Sequence, residues 1–151
     1  MATNHLVIDT SIFFDYFIKI RDKEVRHRLA RDFISYISEP EFTIYEPFLF
    51  DIELMAVLVR KMNPQKVMRL VNEVISYVNI IEEPVIHSLA AKIALDTGCR
   101  AIDAYYIATA IYSNAILVTN DKTMKNNAAK VGIETYYLLE EHNLLIEKIK
   151  R

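Results

Sequence analysis

Glycine is almost missing from this chain: Gly98 and Gly132 are the only two in 151 residues. That scarcity excludes a Gly-rich dinucleotide fingerprint and a P-loop, which both need glycines where backbone approaches phosphate. The nucleophile elbow Gly-x-Ser-x-Gly is excluded with them. Cysteine is scarcer still. Cys99 alone cannot close an internal disulfide, so it is expected to be an inert structural thiol in a reducing cytoplasm. Four histidines, His5, His27, His87 and His142, lack the spacing of zinc ligands or of a catalytic group. No apolar run nears the ~20 residues of a membrane span. The start MATNHLVIDTS lacks the basic opening and long apolar run of a signal peptide, so a cytoplasmic protein without membrane attachment is expected. An excess of positive charge is lacking too. Eighteen Lys and Arg against 20 Asp and Glu give a net charge of -2, so any nucleic-acid contact needs a local basic patch.

What the chain has is a large apolar fraction, 52%, with 25% charged residues, which suits one globular domain over residues 1–151. Leu6-Val7-Ile8, Thr43-Ile44-Tyr45, Val78 to Ile81, the run AILVT at 115–119 and Thr135 to Leu138 read as short buried strands. Between them lie helical patterns: Ile12 to Ile20, Glu24 to Ser38, Phe48 to Lys61, Asn63-Pro64 to Tyr77, Val85 to Thr97, Ala104 to Ile111, Lys122 to Val131 and Glu140 to Lys150. Gly98 and Gly132 each follow a helix, where a C-terminal glycine belongs. Strands alternating with helices predict an α/β fold, with a mostly parallel sheet covered on both faces. In such sheets ligands sit beyond the carboxyl ends of the strands.

The stretch GCRAIDAYYIATAIYSNAILVTND, residues 98–121, carries the chemistry. Between Ala101 and Asn120 its only charged residue is Asp103, which opens a helix apolar almost all round and therefore buried. Asp121 follows a buried strand, and so does Asp9. Glu53 lies inside the apolar helix FLFDIELMAVLV, with Leu49, Ala56 and Val57 on its own face, while Asp51 points elsewhere. Helix capping would account for Asp9, Asp103 or Asp121 singly, and a pairing with Arg60 for Glu53. It does not account for all four together. Acids in apolar surroundings are costly unless paired or bound to metal. An all-oxygen set without Cys or His suits a hard cation, Mg²⁺ or Mn²⁺. The matching chemistry is metal-assisted hydrolysis of phosphodiesters, in which the cation activates water and offsets phosphate charge.

The motif VIDTS, the helix with Glu53, and RAIDAYYIATAIYSNAILVTNDKTM together resemble the PIN domain, particularly the VapC-like toxin ribonucleases. The ordering covers nearly the whole chain. This resemblance implies a three-layer α/β/α sandwich with a central five-stranded parallel sheet, and a Mg²⁺- or Mn²⁺-dependent endoribonuclease. By position it implies that Asp9, Glu53, Asp103 and Asp121 form the catalytic and metal-binding acids. Thr119 matches the frequent hydroxyl at the end of the fourth strand, and Ser11 and Asn120 are placed to support the acids. It also implies an RNA substrate, a homodimer and a cognate antitoxin protein.

Three other readings compete. A haloacid-dehalogenase-type phosphatase also opens with an acid after its first strand, but needs a second Asp two residues later, and position 11 is Ser. A catalytically silent PIN-like binding module would not need to keep buried acids. An RNA-processing PIN nuclease outside a toxin–antitoxin pair shares the same core. The basic run Lys19, Arg21, Lys23, Arg26, Arg28 and Arg31 is interleaved with acids and reads as a solvated helical face. The cluster Phe13, Phe14, Tyr16 and Phe17 reads as core plus dimer contact.

Overall fold

A computed structural model describes residues 4–149. Its elements run β1 (His5–Ile8), α1 (Thr10–Phe17), α2 (Glu24–Ile37), β2 (Thr43–Pro47), α3 (Phe50–Leu58), α4 (Pro64–Ile75), β3 (Asn79–Ile81), α5 (Glu83–Thr97), α6 (Ala101–Tyr112), β4 (Ile116–Thr119), α7 (Lys122–Lys130), β5 (Thr135–Tyr137) and α8 (Leu138–Ile149). The five strands form one sheet in the order β3-β2-β1-β4-β5, and every neighbouring pair is parallel. The expected three-layer α/β/α sandwich is therefore the observed one.

The central strands are the most apolar because both faces are covered. Leu6, Val7 and Ile8 of β1 and Ile116, Leu117 and Val118 of β4 are fully buried. Helix α6 crosses β1, β2 and β4, and α5 packs on its outer side. Ala104, Ala108 and Ala110 are buried along α6, and such small side chains let a helix lie close to the sheet. Helix α1 packs against β4, α2 and α3. Val67 and Val71 face inward from α4.

Helix ends differ from the sequence reading where local chemistry decided them. The first helix begins at Thr10, not Ile12, and stops at Phe17, before Ile18 turns extended. Helix α3 is shorter than the expected Phe48 to Lys61, because Phe48 and Leu49 form a turn after Pro47. Helix α8 opens at Leu138 and kinks at Glu141, and the expected end at Lys150 lies outside the described residues. Gly98 ends α5 in the left-handed region at φ 69°, its N–H bonded to Ala94 O. An L side chain pays a steric cost there, so the scarce glycine is spent where it is required.

The chain turns back on itself between β1 and β4: β2 and β3 lie to one side of β1, β5 to the other side of β4. This reversal opens a crevice at the carboxyl ends of the two central strands, where α/β folds place their ligands.

Candidate active site

Asp9 follows β1, and Asp121 follows β4 two residues after Thr119. Asp103 sits in the first turn of α6, and Glu53 in α3. These four acids come from four separate elements and line one open cleft of about 460 Å³. Lys23, Arg26, Arg60 and Arg100 also line it, so the acids are surrounded by basic side chains.

Asp9 is buried and is not a helix cap. It stands at the cap position of α1 but makes no side-chain cap bond. Its Oδ2 instead accepts from Ser11 Oγ at 2.8 Å and Thr119 Oγ1 at 2.7 Å. Burial raises its pKa from 3.8 to about 6, against the lowering effect of the two hydroxyls, and Glu53 and Asp121 add repulsion. Thr119 and Ser11 thus both donate to this carboxylate. Thr119 also accepts Asp121 N at 2.9 Å, and Ser11 accepts Asn120 N at 2.9 Å.

Glu53 was expected among apolar neighbours. Its surroundings are polar on the side that matters: Oε1 accepts from Thr10 Oγ1 at 2.5 Å and from Tyr106 OH at 2.9 Å. Val57 and Arg60 share the cleft wall with it. Asp103 has a side chain only 1% exposed and faces Arg100, 3.2 Å away. Asp121 does cap α7, with Oδ1 accepting from Thr123 N and Met124 N, while its Oδ2 lies 3.5 Å from Arg100. One of the three capping explanations therefore holds, and it leaves the second oxygen of Asp121 facing the cleft.

Five further residues belong to the site and escaped the sequence reading. Glu46, at the end of β2, is wholly buried, and its Oε1 accepts Ile8 N at 3.1 Å. Its Oε2 has no partner, and burial pushes its pKa well above 4.5, with Asp9 and Glu53 adding to the rise. Asp15, buried in α1, accepts from Arg26 Nε at 3.2 Å and Asn120 Nδ2 at 2.7 Å. The basic run is therefore not wholly a solvated face: Arg26 closes over a buried acid. Tyr106, which is fully buried, Thr10, which is nearly so, and the largely exposed Arg100 complete the group. Asp15 could have been found by the signal that marked Glu53, an acid inside the apolar helix IFFDYF. Glu46 breaks an apolar strand in the same way, and Arg100 precedes Asp103 by three residues, the spacing of a helical ion pair.

The donor set fits a hard cation. It is all oxygen, and Asp103 and Asp121 already share one positive group, the Arg100 guanidinium. As the side chains stand, no three Asp, Glu, His or Cys groups among the described residues are closed around a single metal position. Asp9, Asp103 and Asp121 would be the donors to draw in, with Glu53 beside them. The histidines stay out of the cleft: His27 Nδ1 meets Asp15 O, and His5 Nδ1 meets Ser113 O. No helix among the described residues is long and apolar enough to cross a membrane.

A comparison with curated proteins gives no match. Solved structures share the fold. PAE2754 from Pyrobaculum aerophilum aligns with a TM-score of 0.61 at 20% identity, covering 100% of this chain and 92% of that one. A toxin–antitoxin complex from Klebsiella pneumoniae aligns with 0.58 at 20% identity, over 78% of this chain and 87% of that one. VapBC2 from Rickettsia felis, bound to a DNA fragment from their promoter, aligns with 0.65 at 15% identity, over 87% and 98%. Residues 6–130 match the PIN domain, the stretch that holds all four acids, and the chain belongs to that family.

Proposed function

We propose that this protein is a divalent-metal-dependent endoribonuclease, using Mg²⁺ or Mn²⁺, and the toxin of a toxin–antitoxin pair. The observation that carries this reading is the convergence of Asp9, Glu53, Asp103 and Asp121 on one cleft at the switch point of the sheet. PIN domains are generally nucleases, and the Klebsiella pneumoniae structure of this fold is described as a toxin–antitoxin complex. When bound, the cation supplies Lewis acidity toward phosphate and lowers the pKa of water.

The chain's own residues account for the rest. Asp9, Asp103 and Asp121 would hold the cation, and Glu53, beside them, would accept a proton from the attacking water. Thr10 and Tyr106 donate to Glu53 Oε1, which fixes the carboxylate and leaves Oε2 free to accept. Thr119 and Ser11 hold Asp9 in one orientation. Lys23, Arg60 and Arg100 line the same cleft, so an RNA backbone meets positive charge despite the net charge of -2. A homodimer, a cognate antitoxin and a cytoplasmic location complete the reading.

Incubation of the purified protein with single-stranded RNA tests the reading. Cleavage should require Mg²⁺ or Mn²⁺, stop with EDTA, and leave 5′-phosphate and 3′-hydroxyl ends, because water and not the RNA 2′-hydroxyl attacks. Cleavage by chelator-treated protein, or 2′,3′-cyclic phosphate ends, would contradict it.

A further inference from the structure

Both oxygens of Asp103 face one guanidinium. Arg100 Nη2 lies 3.2 Å from Oδ1 and Nε lies 3.4 Å from Oδ2. The same Nη2 is 3.5 Å from Asp121 Oδ2. The two ends of this bridge differ in freedom. The Asp103 side chain is 1% exposed and fixed in α6, whereas that of Arg100 is 69% exposed. Among the described residues, the Arg100 side chain hydrogen-bonds to Asp103 alone. Arg26 differs: it is tied to Asp15, and Asp15 to Asn120.

We propose that Arg100 is a built-in counter-cation, which holds Asp103 and Asp121 in the metal-free protein, yields them to a divalent ion, and is then free to meet substrate phosphate. The exchange needs no rearrangement of the fold, because only an exposed side chain has to move. An ion pair with one exposed partner is weak, so a doubly charged ion can displace it. Removing the guanidinium before a cation arrives would leave Asp103 buried and uncompensated. Once released, a planar and weakly hydrated guanidinium suits bidentate contact with phosphate. The exchange rests on the metal-binding reading of Asp103 and Asp121, and the phosphate role rests on the nuclease reading as well.

Calorimetric titration of the full chain with Mn²⁺ tests it, in wild type, Arg100→Gln and Arg100→Lys. Arg100→Gln should bind Mn²⁺ about twofold to fivefold more tightly, because the competitor and its repulsion of the incoming cation are both gone. Arg100→Lys, which keeps the charge, should return toward wild-type affinity. With RNA, Arg100→Gln should reach half-maximal rate at lower Mn²⁺ yet show a lower kcat, so metal affinity and turnover move in opposite directions. A merely structural arginine predicts a lower melting temperature with metal affinity unchanged or weaker, and that result would overturn the proposal. Tighter Mn²⁺ binding in a protein that cleaves no RNA would uphold the exchange and remove the nuclease reading.

Discussion

Replacing Asp9 with Asn should make the metal-free protein more stable at neutral pH while abolishing its activity. The Asp9 carboxyl titrates at about 6 in the folded protein against an ordinary 3.8. An acid with a raised folded pKa favours folding only while protonated. Its contribution is complete below pH 3.8 and is lost as pH rises through about 6. The loss amounts to about 3 kcal/mol above pH 6, at about 1.4 kcal/mol per pKa unit. Asp9 is 6% exposed, so solvent screening discounts little of it. Asn keeps an oxygen for the hydroxyls of Ser11 and Thr119, and exchanging a charged acceptor for a neutral one returns about 1 kcal/mol. Asp9→Asn should therefore gain about 1–3 kcal/mol near pH 7.5, a rise of roughly 3–10 °C in Tm for a domain of this size. Circular-dichroism melts in chelator at intervals from pH 4 to 8 would measure the difference between the two proteins. The gap should open with rising pH and close toward pH 4. Mg²⁺ should narrow it by stabilising wild type more. A gap that stays constant with pH, or wild type more stable at pH 7.5, would refute the reasoning.

Glu46 and Asp15 give the next two expectations. Glu46→Gln keeps an acceptor for Ile8 N and should leave Tm unchanged or higher at neutral pH. Glu46→Leu strands that buried amide and should cost about 1–3 kcal/mol, read in urea unfolding as a lower midpoint with unchanged slope. Asp15→Ala leaves the Asn120 amide and the Arg26 guanidinium without their acceptor. It should cost about 2–3 kcal/mol, less than a fully buried pair because Arg26 still reaches water. If Asp15→Ala unfolds at the wild-type urea midpoint, the link between α1, α2 and β4 carries no stability.

The sheet was legible because its strands announce themselves twice, by apolar runs and by the acids that end them. Leu6 to Ile8 and Ile116 to Val118 are buried on both faces and read as unbroken hydrophobic stretches. Gly98 marked a helix end for a steric reason that survives any tertiary context. Asp9, Glu53, Asp103 and Asp121 stood out because charge in an apolar stretch demands an explanation. What the sequence could not supply was the partner of each charge. Asp15 and Asn120 are 105 residues apart, and Thr119 reaches Asp9 across 110. Those bonds exist only because β1 and β4 are neighbours, and strand order is not written in local periodicity. Glu46 was passed over because the second strand was ended at Tyr45. Its pairing continues to Pro47 only on the β3 side.

The one-sided end of β2 makes two adjacent backbone amides report on different things. The register of β1 with β2 is observed at His5 and Leu6 only, so Ile8 N–H is received by the Glu46 side chain. The next amide, Asp9 N–H, points the other way and bonds to Val118 O at 3.0 Å. In deuterated water Asp9 should exchange with the central sheet, only when the whole domain opens. Ile8 should exchange whenever the Glu46 carboxyl swings aside, a far smaller event. The ratio of the two rates would then serve as a gauge of local breathing beneath the acidic cleft. It would be sensitive to a cation above without depending on catalysis.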